Sequence, residues 1–186
     1  MIEGHIINLR APEMTDLDAQ LRWSNDREVT RYLGGRSRYP LPSGSEEAWL
    51  RSLCETPMSY AHPYFAIETK DGRHIGMVHL FNVMPEERRA ELGIIIGEKD
   101  CWSQGYGRDA IHTLVRFGFD EMNLHRVVLQ VFSYNPRGIA CYRACGFVEE
   151  VRMRQDMWHE GAYHDTVVMG LLRADFEARE GEEEGR

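Results

Sequence analysis

The sequence predicts a single α/β domain built on a mixed, mostly antiparallel sheet. Three observations carry this. Two strand-turn-strand patterns follow one another in the middle of the chain, a long apolar stripe at helical spacing comes directly after them, and the C-terminal third runs strand, helix, strand, strand. At 186 residues the chain is long enough for one core and short for two of ordinary size. Residues 1–175 are therefore read as one domain and residues 176–186, rich in Glu and Gly, as an acidic, disordered tail.

Taken in order, His5 to Arg10 reads as a short strand. Thr15 or Asp16 can cap a helix through about Arg27, with Leu17, Leu21 and Ser24 along one face, and Ser43 with Glu46 resembles a capping box opening Glu46 to Cys54. Gly34-Gly35 through Pro40-Leu41-Pro42 is loop. Tyr64 to Thr69 and His74 to Asn82 flank the tight turn Asp71-Gly72 and form a hairpin. Pro85-Glu86-Glu87 turns the chain again into Arg89 to Ile96, whose Ile94-Ile95-Ile96 end is apolar on both faces, the mark of a central, covered strand. Ala110, Leu114, Val115, Phe117 and Gly118 then mark a helix that stops near Asn123. Arg126 to Phe132 is a strand, and Pro136 suits the first turn of a helix ending at Gly146. Phe147 to Val151 and Tyr163 to Leu172 are the last strands, joined through a Trp158 to Gly161 turn. No internal repeat is present.

Composition removes several function classes. The longest apolar stretch, Leu92 to Ile96, is far below the roughly 18 residues of a spanning helix, and Met1-Ile2-Glu3-Gly4-His5 lacks a basic, apolar leader, so a cytoplasmic protein is expected. Thirty acidic against 22 basic residues leave a net charge of −8, which disfavours nucleic acid and favours a cationic or neutral partner. Lysine occurs only at Lys70 and Lys99, a bias that genome composition and a hot habitat explain equally. Cys54, Cys101, Cys141 and Cys145 form no Cys-x-x-Cys pair and read as reduced thiols that pack as small hydrophobes.

Gly105-x-Gly107-x-x-Ala110 opens the long helix, and such turns let backbone N–H groups approach an anion. A dinucleotide site of the Rossmann kind would need this turn directly after the first strand and an acidic residue ending the next one. Here seven residues separate Ile96 from Gln104, and the following strand ends Phe132-Ser133-Tyr134-Asn135. A glycine-rich helix start without a ligand is the plain alternative.

Three segments in order decide between them: Ala90-Glu91-Leu92-Gly93-Ile94, then Trp102-Ser103-Gln104-Gly105-Tyr106-Gly107, then Asn135-Pro136 through Ala140-Cys141-Tyr142-Arg143-Ala144-Cys145-Gly146-Phe147. Together they resemble the GNAT N-acetyltransferase superfamily. With Ile7-Asn8-Leu9-Arg10-Ala11-Pro12 near the start and Tyr163-His164-Asp165 near the end, the chain looks like its ribosomal-protein and spermidine N-acetyltransferase branch over about residues 5 to 173. The resemblance implies a central sheet splayed between the strand ending at Ile96 and Arg126 to Phe132, about four flanking helices, acetyl-CoA as cosubstrate, no metal, and a homodimer. It implies that amides around Ile94, Ile95 and Ile96 hold the pantetheine arm, and that the turn Ser103, Gln104, Gly105, Tyr106, Gly107, Arg108 and Asp109 holds the pyrophosphate. Trp102 stands where the family often has Gln or Arg, which leaves residue 102 without a role.

Acetyl transfer to an amine requires a neutral amine, a polarised carbonyl and a proton for the departing thiolate. Deprotonating an alkylamine of pKa about 10.4 at pH 7 costs about 4.6 kcal/mol, against about 1 kcal/mol for an α-amine near 7.8. Glu91 is the first candidate base, acting through water and attracting a cationic substrate; the bland reading is a strand carboxylate paired with Arg88 or Arg89. Tyr142 is by resemblance the general acid, against an aromatic merely packed under its helix. Asn135 is by resemblance a CoA-facing group, and an ordinary Asn-Pro helix entry is compatible with that. A strand N–H near Ile95 is the expected carbonyl polariser. His159, His164 and Asp165 read as polar groups facing solvent more than as a metal site, and Cys141 with Cys145 lack a neighbouring base. Trp23, Tyr32, Trp49 and Tyr60 divide between core packing and an acceptor pocket. The expected activity is N-acetylation of a small polyamine-like amine or a protein N-terminus by direct attack in a ternary complex. A non-catalytic CoA-binding sensor or scaffold is the alternative.

Overall fold

The computed structural model describes residues 1–34, 39–57, 59–61 and 63–184. The middle of the predicted 34–42 loop and the last two residues lie outside them. Contacts divide the chain into two compact units, Met1–Leu80 with Gly93–Leu114 and Phe81–Leu92 with Val115–Arg186.

The first unit opens with β1 (Ile2–Glu3) and β2 (Ile7–Arg10), paired antiparallel as Ile2↔Leu9 and Glu3↔Asn8. Ile7 and Leu9 are fully buried while Asn8 and Arg10, which alternate with them, are half-buried, the period of two expected of a strand with one covered face. The predicted helix to Arg27 is broken in two. A 3₁₀ turn (Met14–Asp16) leads into α1 (Leu17–Ser24), and α2 (Arg27–Thr30) starts afresh because the Asp26 carboxylate accepts from Glu28 N at 2.9 Å and Val29 N at 3.4 Å. α3 (Ser43–Glu55) begins three residues before the predicted Glu46. The capping box is absent: Pro42 precedes the helix, and the buried Glu46 accepts from Ser24 Oγ at 3.2 Å.

β3 (Tyr64–Thr69) and β4 (His74–Met84) form the predicted antiparallel hairpin, β4 running two residues longer. β5 (Arg89–Ile96) has its predicted bounds and is central, between β4 and β6 in the strand order β1-β2-β3-β4-β5-β6-β8-β7. Its apolar end is not covered: Ile94, Ile95 and Ile96 stay half-buried, whereas Ala90 and Leu92 are buried. α4 (Tyr106–Asp120) buries Ala110, Ile111 and Leu114 in this unit.

The second unit contains the end of α4, with Val115 and Phe119 buried, and β6 (Arg126–Phe132), where Val127, Leu129 and Val131 alternate inward. β5 and β6 run parallel, with the ladder Arg89↔Arg126, Ala90↔Val127 and Glu91↔Val128. α5 (Pro136–Ala144) follows, then β7 (Val148–His159) and β8 (Ala162–Leu172), the latter antiparallel to β6 from Arg126↔Leu172 to Phe132↔Thr166. The hairpin turn is shorter than predicted, because Glu160 (φ 48°) and Gly161 (φ 82°) supply two consecutive left-handed residues.

α6 (Arg173–Glu184) occupies residues that composition assigns to a disordered tail. One aromatic explains the difference: Phe176 is buried with its ring 5.5 Å from that of Phe119, and Arg116 pairs with Glu180 one turn further on. Among the described residues the chain is α/β with six α-helices, and its sheet has antiparallel ladders at β1–β2, β2–β3, β3–β4, β6–β8 and β7–β8 and a parallel one at β5–β6. Among the described residues no helix is long and apolar enough to cross a membrane.

Candidate active site

In the first unit, β5 and the opening of α4 are joined by a segment held down by charge. Arg73 bonds Glu98 at 2.7 Å and Asp100 at 2.6 Å, Trp23 Nε1 donates to Glu98 Oε1 at 3.0 Å, and Arg22 pairs with the same carboxylate. Burial works to raise the Glu98 pKa, but the bonds from Trp23, Arg22 and Arg73 outweigh it and hold the carboxyl below its ordinary value. Trp102, which the sequence leaves without a role, donates its indole N–H to Ile96 O at 2.8 Å and folds the segment back on the end of β5. Gly97 N donates to Ile75 O at 2.9 Å, so that amide is engaged in the fold.

The turn itself is open. Ser103, Gln104 and Gly105 are exposed, and Ser103 (φ 60°) and Gly105 (φ 91°) both take left-handed backbone. Only glycine adopts φ 91° without strain, which explains residue 105. α4 starts at Tyr106, and Asp109 N is bonded to Gly105 O at 2.9 Å, so the amides before it belong to the helix end that has no preceding turn to bond. A Cβ at Gly107 would meet Ile96 Cγ1 at 3.6 Å, an ordinary contact, which leaves the backbone there accessible. Arg108 is exposed. The Asp109 carboxylate is not turned to the helix opening: it accepts from the amides of His5, Ile6 and Ile7.

The second unit holds the remaining candidates. Asn135 is the N-cap of α5, its Oδ1 accepting from Gly138 N at 2.9 Å, with Pro136 in the first helical turn. The helix-entry reading is therefore realised, and Nδ2 is left as the donor of that side chain. Tyr142 lies on α5, half-buried, its ring 6.2 Å from that of Phe147. Burial, with smaller contributions from Cys141 and Cys145, pushes its phenol well above the ordinary value of about 10, so the proton stays on oxygen throughout the working range. Glu91 is half-buried and pairs with neither predicted arginine. Its Oε1 accepts from Asn82 Nδ2 at 3.1 Å, while Arg88 bonds Asn123 and Arg89 contacts the Met84 sulfur.

Other candidates resolve by contact. Trp23 is buried with its ring 4.8 Å from that of His74, a packing role. Trp49 meets Tyr64 edge-on at 6.1 Å, and Tyr64 stacks on His79 at 4.1 Å; sequence reading missed Tyr64 and His79, whose signal was a β-strand pair of aromatic and imidazole rings at Tyr64↔His79. Tyr60 is exposed, and Arg31 lies over the Tyr32 ring at 5.9 Å. His159 and His164 pack on Tyr134 at 4.4 and 4.7 Å, and Asp165 accepts from Gln155 N. Among the described residues no group of three or more His, Cys, Asp or Glu side chains is arranged for a metal.

Residues 7–148 match the family model described as Acetyltransferase (GNAT) domain. The spermidine N(1)-acetyltransferase of Vibrio cholerae is 28% identical over 170 residues, covering 91% of this chain and 95% of that protein. The spermidine N(1)-acetyltransferase of Escherichia coli is 25% identical over 187 residues, covering 95% and 91%. The crystal structure of the Vibrio cholerae enzyme in complex with CoA and spermine superposes with a TM-score of 0.80 over 92% of this chain and 98% of that one.

Proposed function

We propose, from the premise that this chain belongs to the GNAT acetyltransferase family, that the amine it acetylates is a small polycation of the polyamine kind. It is an acetyl-CoA-dependent N-acetyltransferase acting on amines. The observation that carries the acceptor class is the near full-length match to two spermidine N(1)-acetyltransferases, and the net charge of −8 favours a cation over a neutral amine.

The turn fits a diphosphate on its own geometry: left-handed backbone at Ser103 and Gly105, the opening amides of a fifteen-residue helix, and an accessible backbone at Gly107. Ser103, Gln104, Gly105, Tyr106, Gly107 and Arg108 are assigned to the pyrophosphate. The half-exposed Ile94, Ile95 and Ile96 are assigned to the pantetheine arm, and Asn135 Nδ2 to a CoA hydrogen bond. When bound, the thioester supplies an activated acetyl group. Glu91 takes a proton from the incoming ammonium through water, held in place by Asn82, and an N–H near Ile95 polarises the carbonyl. Tyr142 Oη gives its proton to the departing sulfur and is reprotonated by the second proton that the acylated nitrogen loses, the first having gone to Glu91. The reading extends to a homodimer in the cytoplasm, where Cys54, Cys101, Cys141 and Cys145 stay reduced.

The test is an acceptor panel of spermidine, spermine, monoamines and N-terminal peptides, read by CoA thiol release. The highest kcat/KM on a polyamine is expected. A preference for peptides overturns the acceptor class, and no turnover on any amine overturns the activity.

A further inference from the structure

Asp109 sits in the first turn of α4, but its carboxylate serves a distant part of the chain. Oδ1 accepts from His5 N at 3.1 Å, and Oδ2 accepts from Ile6 N at 2.7 Å and Ile7 N at 3.0 Å. Three consecutive amides converging on one anion make a backbone nest. The nest is the turn between β1 and β2, closed by Gly4 N donating to Ile7 O at 2.9 Å. Gly4 is the close-approach residue: a Cβ there would lie 2.7 Å from Thr113 Oγ1, 2.8 Å from Ile7 Cδ1 and 2.9 Å from Asp109 Oδ2. Thr113 Oγ1 in turn donates to Asp109 O at 2.8 Å, one helical turn along α4. Ile6 completes the contact from the other side, its Cδ1 3.7 Å from where a Cβ on Gly105 would stand.

A carboxylate in the first turn of a helix ordinarily competes with any anion for the same positive end. Here three amides of the β1–β2 turn compensate that charge, and the compensation ties the turn of residues 103–108 to residues 4–7. We propose that Asp109 is a positioning residue for the donor turn, and that the segment Gly4–Ile7 is a working part of the acetyl-CoA site through it. The proposal rests on the assignment of that turn to the pyrophosphate. Asp109 touches no reacting atom in this account; it fixes the direction in which the opening amides of α4 point.

Asp109→Asn keeps the shape of the side chain but sets an NH₂ against backbone donors, and Gly4→Ala breaks the same contact from the opposite side with a milder change. Each raises the KM for acetyl-CoA about tenfold, within the roughly 10²-fold that a displacement of about 1 Å can cause, and leaves kcat at saturating donor within about twofold. Because both remove one contact, the double variant shows a KM no higher than Asp109→Asn alone. Measurements are made at a temperature where circular dichroism shows each variant folded; should Asp109→Asn not fold, Gly4→Ala carries the test. An unchanged KM, or effects that multiply in the double variant, overturns the positioning role. Calorimetry of the unmodified chain with CoA separates the two layers: no binding overturns the pyrophosphate assignment itself, whereas intact binding with an unmoved KM in the variants overturns only the role of Asp109.

Discussion

Asn82 holds Glu91. Its amide donates to Glu91 Oε1 at 3.1 Å from a backbone in the left-handed region (φ 47°), a conformation Asn tolerates better than most residues. Glu91→Gln is expected to lower kcat/KM for spermidine about 10²-fold at pH 7. The loss shrinks as pH rises toward the amine pKa of about 10.4, because solvent then supplies the free base. Asn82→Gly keeps the backbone conformation and deletes the side chain that holds Glu91, so a severalfold drop in kcat at a temperature where thermal scans show the variant folded is expected from initial rates.

Tyr142→Phe removes one oxygen and its proton from α5. Since burial raises the phenol pKa, the unmodified enzyme keeps its acid protonated to high pH, and no alkaline loss of activity arises from Tyr142 at pH 9. The variant is expected to lose about 10²-fold in kcat with CoA affinity within about twofold of the parent, read by steady-state rates and calorimetry. Equal kcat in the two proteins would remove Tyr142 from the mechanism.

Asp16 is the most consequential buried charge in the first unit. It is 3% exposed and lies 2.7 Å from Arg10 Nη2 and 3.1 Å from His74 Nδ1. Burial pushes its pKa up, but the close approach of His74 and the hydrogen bonds from Arg10 and Glu13 N prevail and hold it well below the carboxylate range. A depressed folded-state pKa contributes stability that is complete above the unfolded value of about 3.9 and is lost as pH falls below it. Asp16→Asn, which removes one of the two carboxylates on Arg10 and leaves Glu68 at 2.7 Å as the other, is expected to cost about 1–3 kcal/mol in urea unfolding at pH 7. The gap between the two proteins narrows as pH falls below about 4.

Phe176→Ala tests whether α6 belongs to the folded domain. The ring is buried against Phe119, and its truncation is expected to cost about 3–5 kcal/mol. At roughly 2–4 °C of melting temperature per kcal/mol for a chain of this size, calorimetry resolves that readily. An unchanged melting temperature would return residues 176–184 to the status of a tail.

Where local pattern and burial agreed, the sequence was legible to the residue. β6 has its predicted bounds because period-two burial and β-branched side chains point the same way there, and β5 has them although its Ile94-Ile95-Ile96 end is left half-buried. The break between α1 and α2 was missed because the apolar spacing runs on past Asn25-Asp26, where a capping carboxylate overrides it. β7 was read too short because nearly all of its residues are exposed, which erases the alternation a strand with a covered face displays. α6 was invisible because one Phe docks an otherwise acidic segment. At the candidate site, spacing marked the glycine turn as a helix start, while Tyr142 was singled out only through the family resemblance. The Asp109 contact was not, since its partners are backbone amides more than a hundred residues away, and an amide carries no sequence signature.

The parallel ladder between β5 and β6 sets an order on how this chain acquires its shape. The β3–β4 and β7–β8 hairpins close through short turns and can form on their own within microseconds. Arg89–Glu91 cannot find Arg126–Val128 until residues 97–125 have crossed over and α4 has packed, which requires closing a long loop before any ladder bond repays it. The register at the middle of the sheet is therefore expected to form late, with substitutions that weaken α4 packing slowing refolding in stopped-flow more than those that loosen either hairpin.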